Sequence, residues 1–116
     1  MIKMVASDLD GTLLVNGSQS IPEEIFPLIK KLKDMGILFV AASGRQYANM
    51  RNLFAPVKDD MAFIGENGGL AIQNEKLLYC DSFDKKLVME IIEAIQEKKD
   101  AEFSCSTKDF YYIMPK

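Results

Sequence analysis

The sequence predicts an α/β fold: a parallel sheet with helical crossovers, followed by an α+β segment. Three observations predict it. The apolar run Met4-Val5-Ala6 ends in an acidic tip, Asp8-Leu9-Asp10-Gly11-Thr12. A second apolar run, Ile37 to Ala42, lacks alternation, as buried parallel strands do, and one amphipathic stretch separates it from the first. Strand, helix and strand with short links make a right-handed βαβ unit. Near Asp81-Ser82-Phe83-Asp84 the order changes to a long amphipathic helix and two short strands, which reads as the start of an α+β domain. The expected division is therefore 1–80 and 81–116.

Taken in order, residues 2–7 form the first strand, and residues 13–20 form a loop with a turn signal at Asn16-Gly17. Ser20-Ile21-Pro22-Glu23 has the form of a capping box that opens a helix. Ile25, Leu28, Ile29, Leu32 and Met35 follow at helical spacing, and Gly36 ends it. Pro27 should kink this helix or shift its start. Ile37 to Ala42 is the second strand, and Ser43-Gly44-Arg45-Gln46 opens a second helix that carries Tyr47, Met50, Leu53 and Phe54 inward. Met61 to Ile64 is a third strand, Asn67-Gly68-Gly69 a turn, and Leu70 to Ile72 and Leu77 to Tyr79 a small meander. A helix over about 84–99 places Leu87, Val88, Ile91, Ile92 and Ile95 on one face. Strands around 102–106 and 110–114 complete the chain, joined by Thr107-Lys108-Asp109.

Bulk properties narrow the function. The 116 residues are 48% hydrophobic and 27% charged, as in globular chains. A net charge of −3 with no dominant basic cluster argues against a nucleic-acid partner. No run reaches the length of a membrane span, and no signal peptide is evident, so a cytoplasmic protein is expected. Cys80 and Cys105 lack metal-ligand spacing and are expected as free thiols. The chain has no His, which excludes Ser-His-Asp and Cys-His chemistry and His-ligated zinc.

The chemistry-bearing residues gather where strands end. Ligands of open α/β sheets bind outside the carboxyl ends of the strands, where Asp8 and Asp10 fall. Two acids one residue apart at such an end suit a divalent cation held by oxygen ligands while one acid attacks or transfers a proton. The competing reading is a hairpin, with Asp10-Gly11 as its turn and no chemistry. Ser43-Gly44-Arg45 ends the neighbouring strand, where a hydroxyl and backbone N–H groups at a helix start suit a phosphate. Its competing reading is a helix cap completed by Gln46. In Gly65-Glu66-Asn67-Gly68-Gly69, Asn67 is placed to reach a ligand and Glu66 reads as a solvated turn acid.

DLDGTLL, SGR, GENGG and the helix–hairpin segment together resemble the Cof-like branch of the haloacid dehalogenase superfamily, which contains sugar-phosphate phosphatases. The resemblance runs over the whole chain, and DLDGTLL is its specific motif. It implies a Rossmann-like parallel sheet over 1–80, present in part, and the beginning of an α+β cap domain over 81–116. It implies that Asp8 is a nucleophile forming an aspartyl-phosphate and that Asp10 is the acid and then the base. Mg²⁺ is then held by the Asp8 carboxylate and the Asp10 backbone carbonyl. Ser43 and Gly44 bind the phosphoryl group, and Arg45 and Asn67 contact the substrate, a small phosphorylated metabolite. A phosphomutase using the same Asp8, or a non-catalytic fragment, is the alternative.

The sequence departs from the family pattern in one respect. The family places a Lys after the cap, then a Gly-Asp-x-x-x-Asp-like motif that completes the metal site. This chain has no Gly-Asp dipeptide, and a capless arrangement that used Lys76 would need an acidic turn near Lys98-Lys99-Asp100-Ala101, which lacks glycine. The expectation is the N-terminal part of a longer phosphatase, poorly active alone. Met4 to Ala6 is expected to be an open sheet edge prone to self-association.

Overall fold

Three parallel strands build the first unit: β1 (Met4–Ser7), β2 (Leu38–Ala42) and β3 (Met61–Gly65). The computed structural model describes residues 1–114; Pro115 and Lys116, the last residues of the expected cap segment, lie outside the described residues. β1 pairs with β2 and β2 with β3, both in parallel register, with Val5 opposite Phe39 and Phe39 opposite Met61. β4 (Leu70–Gln73) and β5 (Lys76–Cys80) add an antiparallel meander, giving a five-stranded mixed sheet in the order β1-β2-β3-β4-β5. The turn between β4 and β5 is made by Asn74 and Glu75, both at positive φ, as a two-residue hairpin loop of this twist requires.

Two helices bridge the parallel strands, α1 (Ile25–Asp34) and α2 (Tyr47–Leu53). α1 begins later than Ser20, because Ser20 turns its N–H to Ser18 Oγ at 3.3 Å instead of capping a helix. Pro27 then falls at the third helical position, where the missing N–H has no intrahelical partner to lose, so the helix starts late and is not broken. Likewise β1 is shorter than expected, since paired residues begin at Met4, opposite Leu38.

The core lies between the helices and the sheet. Phe39, Met50, Phe54, Val57, Phe63 and Ile72 are each at most 6% exposed. Phe54 is the hub: its ring centroid lies 6.3 Å from that of Phe39 and 6.1 Å from that of Phe63, in tilted and edge-on arrangements. Phe39, Val40 and Ala41 are all buried, as the absence of alternation in β2 implies.

The chain divides into two compact units, Met1–Cys80 and Asp81–Lys116. The second consists of α3 (Lys85–Gln96) and a hairpin of β6 (Ser104–Ser106) and β7 (Tyr111–Ile113). Asp84 caps α3, its carboxylate accepting from the N–H groups of Lys86 at 2.9 Å and Leu87 at 3.3 Å. Thr107 closes the hairpin by accepting the Phe110 N–H on its hydroxyl at 3.0 Å. Cys80 and Cys105 are free thiols, and no helix among the described residues is long and apolar enough to cross a membrane.

β1 stands at the sheet edge, as expected. Among the described residues it pairs with β2 alone, and Met4 and Val5 are 56% and 37% exposed.

Candidate active site

Three loops meet at the carboxyl end of β1, β2 and β3. The first follows β1. Just beyond β1, Leu9 is fully buried in the core, while Asp8 and Asp10 on either side of it are exposed. The Leu9 carbonyl then accepts the N–H groups of Thr12, Leu13 and Leu14 at 3.0, 3.0 and 2.8 Å, while Gly11 N–H donates to the Leu14 carbonyl at 2.8 Å. Gly11 takes φ 81°, which a side chain disfavours. This knot sends the chain away from β1. The hairpin reading is thus overturned: among the described residues β1 has a parallel neighbour and no antiparallel partner following Asp10-Gly11.

The Asp8 carboxylate is oriented by the next residue, whose N–H donates to Asp8 Oδ1 at 2.7 Å. In the register of the parallel pair Ser7 faces Ala41, so Asp8 and the residues just after Ala41 stand at one level. Ser43 comes there. Its hydroxyl oxygen accepts the Arg45 N–H at 3.1 Å, which leaves the hydroxyl proton for an anionic oxygen. Gln46 occupies the helix N-cap position with an extended backbone and no side-chain cap bond, and α2 opens only at Tyr47. The Ser43–Gln46 capping box is therefore not formed. Ser43 instead organises the turn that precedes the helix.

The third loop is stitched to the second. Ser43 N–H donates to the Ile64 carbonyl at 2.9 Å, Asn67 N–H to the Ser43 carbonyl at 3.2 Å, and Glu66 N–H to the Arg45 carbonyl at 3.1 Å. Glu66 and Asn67 both sit at positive φ, near 55°, a conformation that non-glycine residues rarely adopt and that neighbouring structure must hold. The approach is close on both sides, so a side chain at either glycine would make a neighbour shift. A Cβ on Gly44 would lie 2.6 Å from Asn67 Oδ1, and one on Gly65 would lie 3.0 Å from the Arg45 carbonyl oxygen. The structure thus brings Asn67 against Gly44, so the SGR and GENGG segments form one unit.

Arg45 reaches back to the first loop. Its Nε and Nη2 donate to Asp10 Oδ2 and Oδ1 at 2.8 and 2.7 Å, a two-pronged ion pair. The hydrogen bond from Arg45 holds the Asp10 carboxyl below its ordinary range, its charge adding to the effect. Because this folded-state value is depressed, the pair is complete above the ordinary carboxylate range and is lost only as pH falls through the lowered value. Nη1 of Arg45 donates to Asn49 Oδ1 at 2.8 Å. Asn49 was not among the residues that sequence reasoning singled out. Its position four residues after Arg45, across the start of α2, is the signal that points to it.

Lys76 cannot serve this site. It opens β5 opposite Gln73, which itself faces Ala62 near the start of β3, so it lies at the amino end of the parallel strands. A divalent cation does fit the tip in part. The Asp8 carboxylate supplies one of the one or two that Mg²⁺ uses beside water and phosphate oxygens, whereas both Asp10 carboxylate oxygens are held by Arg45. The knot after Asp10 uses the Leu9 and Leu14 carbonyls and not that of Asp10. Among the described residues no group of three or more metal-ligating side chains forms.

Comparison with known proteins gives four results. A family model described as haloacid dehalogenase-like hydrolase matches residues 5–116. The Escherichia coli 5-amino-6-(5-phospho-D-ribitylamino)uracil phosphatase YbjI is 29% identical over 115 residues, which is 99% of this chain and 42% of that protein. Phosphoglycolate phosphatase 1 of Saccharolobus solfataricus is 35% identical over 91 residues, 78% of this chain and 40% of that protein. A crystal structure of a protein from Eubacterium rectale superposes with a TM-score of 0.85 at 32% identity, covering 97% of this chain and 43% of that one. The chain therefore spans about two fifths of the length of the relatives it matches.

Proposed function

The chain belongs to the haloacid dehalogenase-like hydrolases, and from that membership we propose that it carries the nucleophile and the acid–base group of a Mg²⁺-dependent phosphomonoesterase. The observation that carries the reading is the pair Asp8 and Asp10 turned outward at the tip of β1, level with Ser43. A carboxylate oxygen of Asp8 attacks phosphorus, and the bond to the leaving oxygen breaks as Asp10 gives that oxygen a proton. Asp10, now ionised, takes a proton from water, which displaces Asp8 from phosphorus and releases inorganic phosphate. The ion pair with Arg45 favours the ionised form that this second step uses and opposes the protonated form that the first step requires. Ser43 and Gly44 receive the phosphoryl oxygens, and Asn67, packed against Gly44, borders the place where the substrate lies. Mg²⁺, held by the Asp8 carboxylate and the Asp10 carbonyl, would neutralise phosphoryl charge.

Two relatives carry names that specify different phosphorylated small molecules, a ribitylaminouracil phosphate and phosphoglycolate. The shared class, a small phosphorylated metabolite, is the substrate class proposed. The two free thiols fit a cytoplasmic setting.

Two proteins test the reading: the 116-residue chain, and the chain joined to the portion of a relative that it does not span. The joined protein is expected to hydrolyse p-nitrophenyl phosphate, and to lose that activity when Mg²⁺ is removed with EDTA. The chain alone is expected to be slower by factors of roughly 10²–10³ for each missing charged group that stabilises the transferring phosphoryl. A joined protein that works equally well in EDTA would end the metal assignment. Equal rates from the two proteins would end the claim that groups outside the chain are needed.

The open edge of β1 adds a proposal about association. Unpaired N–H and C=O groups along a short apolar edge are a template for a second copy. Sedimentation at concentrations on the order of 100 µM is expected to show dimers, and Met4→Lys is expected to reduce them. A monomer at every concentration would rule this out.

A further inference from the structure

The geometry points to a positioning role for Asn49, exerted on Asp10 through the guanidinium of Arg45. The inference rests on the reading of Asp10 as the proton-transfer group and adds residues that neither the DLDGTLL motif nor the comparisons single out.

Each nitrogen of the guanidinium has a separate task. Nε and Nη2 hold the two oxygens of Asp10, and Nη1 holds Asn49 Oδ1. The group is planar, so three bonds in three directions define its position and its tilt together. The frame behind it is rigid at the backbone. The Arg45 N–H is tied to Ser43 Oγ, its carbonyl accepts the Glu66 N–H, and Gly65 is packed beneath that carbonyl. Asn49 stands on α2. Asp10, in contrast, sits on an edge-strand loop, and its side chain is 58% exposed while that of Arg45 is 22% exposed. An exposed aspartate on such a loop samples several rotamers unless something restrains it. The restraint here runs from a helix and two sewn loops to the more exposed partner. The fork takes one lone pair from each carboxylate oxygen and leaves another on each, so it aims the carboxylate without blocking proton transfer.

An ordinary surface ion pair does not account for this arrangement. Exposed pairs with one flexible contact contribute little, and bidentate pairs with a supported guanidinium are the exception. The Asn49 bond leaves the charge unchanged and adds nothing to α2, where alanine is the better helix former. Its consequence is directional.

The test has two arms. In the 116-residue chain, the ¹⁵N–¹H resonance of Arg45 Nε is expected to exchange slowly with water, and exchange is expected to quicken about tenfold or more in Asp10→Asn and by less in Asn49→Ala. Asn49→Ala is expected to leave the melting temperature unchanged or slightly higher, which a purely structural asparagine would not do. In the joined protein, Asn49→Ala is expected to lower kcat about tenfold with KM within about twofold, because misplacement of a reacting group falls on the chemical step. Arg45→Lys is expected to lower kcat at least as far, since a lysine cannot form the fork.

Nε exchange that is the same in wild type, Asp10→Asn and Asn49→Ala would overturn the inference. So would a rise in KM with kcat intact, which would mark Arg45 as a substrate contact. If the joined wild type hydrolyses nothing, the phosphatase reading fails, and the resonance arm still decides whether Asn49 restrains Asp10 through Arg45.

Discussion

Asp8→Asn in the joined protein is expected to lower kcat for p-nitrophenyl phosphate by about 10⁴-fold or more, with KM changed little. The substitution is close to isosteric. The amide keeps an oxygen for the Leu9 N–H, which Asp8 Oδ1 now accepts at 2.7 Å, so the loop that follows β1 has no reason to move. What disappears is the negative charge and with it the nucleophile, because a neutral amide oxygen is a poor attacker of phosphorus. The effect therefore falls on the covalent step and not on the fold. Steady-state kinetics, paired with circular dichroism spectra of both proteins, checks this. Retention of more than about a hundredth of the wild-type kcat, a loss of under about 2.7 kcal/mol in barrier terms, would show that Asp8 is not the attacking group.

Phe54→Ala is expected to destabilise the first unit by about 3–5 kcal/mol, a large fraction of the roughly 5–15 kcal/mol that holds a typical domain folded. Phe54 is fully buried and follows the last residue of α2, with the Phe39 and Phe63 rings against it. Those two rings belong to the parallel strands whose ends carry the site. Truncation opens a cavity between helix and sheet and removes both ring contacts at once. Urea unfolding followed at amides of β2 and β3 measures the loss. A change under about 1 kcal/mol would mean that the aromatic cluster relaxes to fill the space.

Several elements were legible in the residues because their causes are local. Leu9, between the two acids, and Leu14, after them, are buried apolar side chains, while Asp8 and Asp10 are exposed. The unalternating run in β2 announces burial on both faces. Asp84 caps α3 with its own carboxylate, within three residues of the groups it satisfies. The misses were local too where two local signals competed. Ser20 carries a capping-box pattern, yet its N–H goes to Ser18, and Pro27 is accommodated only when the helix starts at Ile25. Ser43 carries the same pattern, yet its hydroxyl serves the Arg45 N–H and the helix waits until Tyr47.

By itself the sequence determined the α/β class, the pair of acids just beyond the first strand, and the resemblance to the family. Each depends on residue types within a few positions of one another. Only the tertiary structure decided which side chains share the site. Arg45 is 35 residues from Asp10 and meets it because β1 and β2 pair in one particular parallel register. The register of β2 against β3 brings Asn67 to Ser43, and the order of the meander carries Lys76 to the far end of the sheet. Propensity and periodicity act along the chain, whereas a side chain finds its partner across the sheet, where strand order and register set the distance.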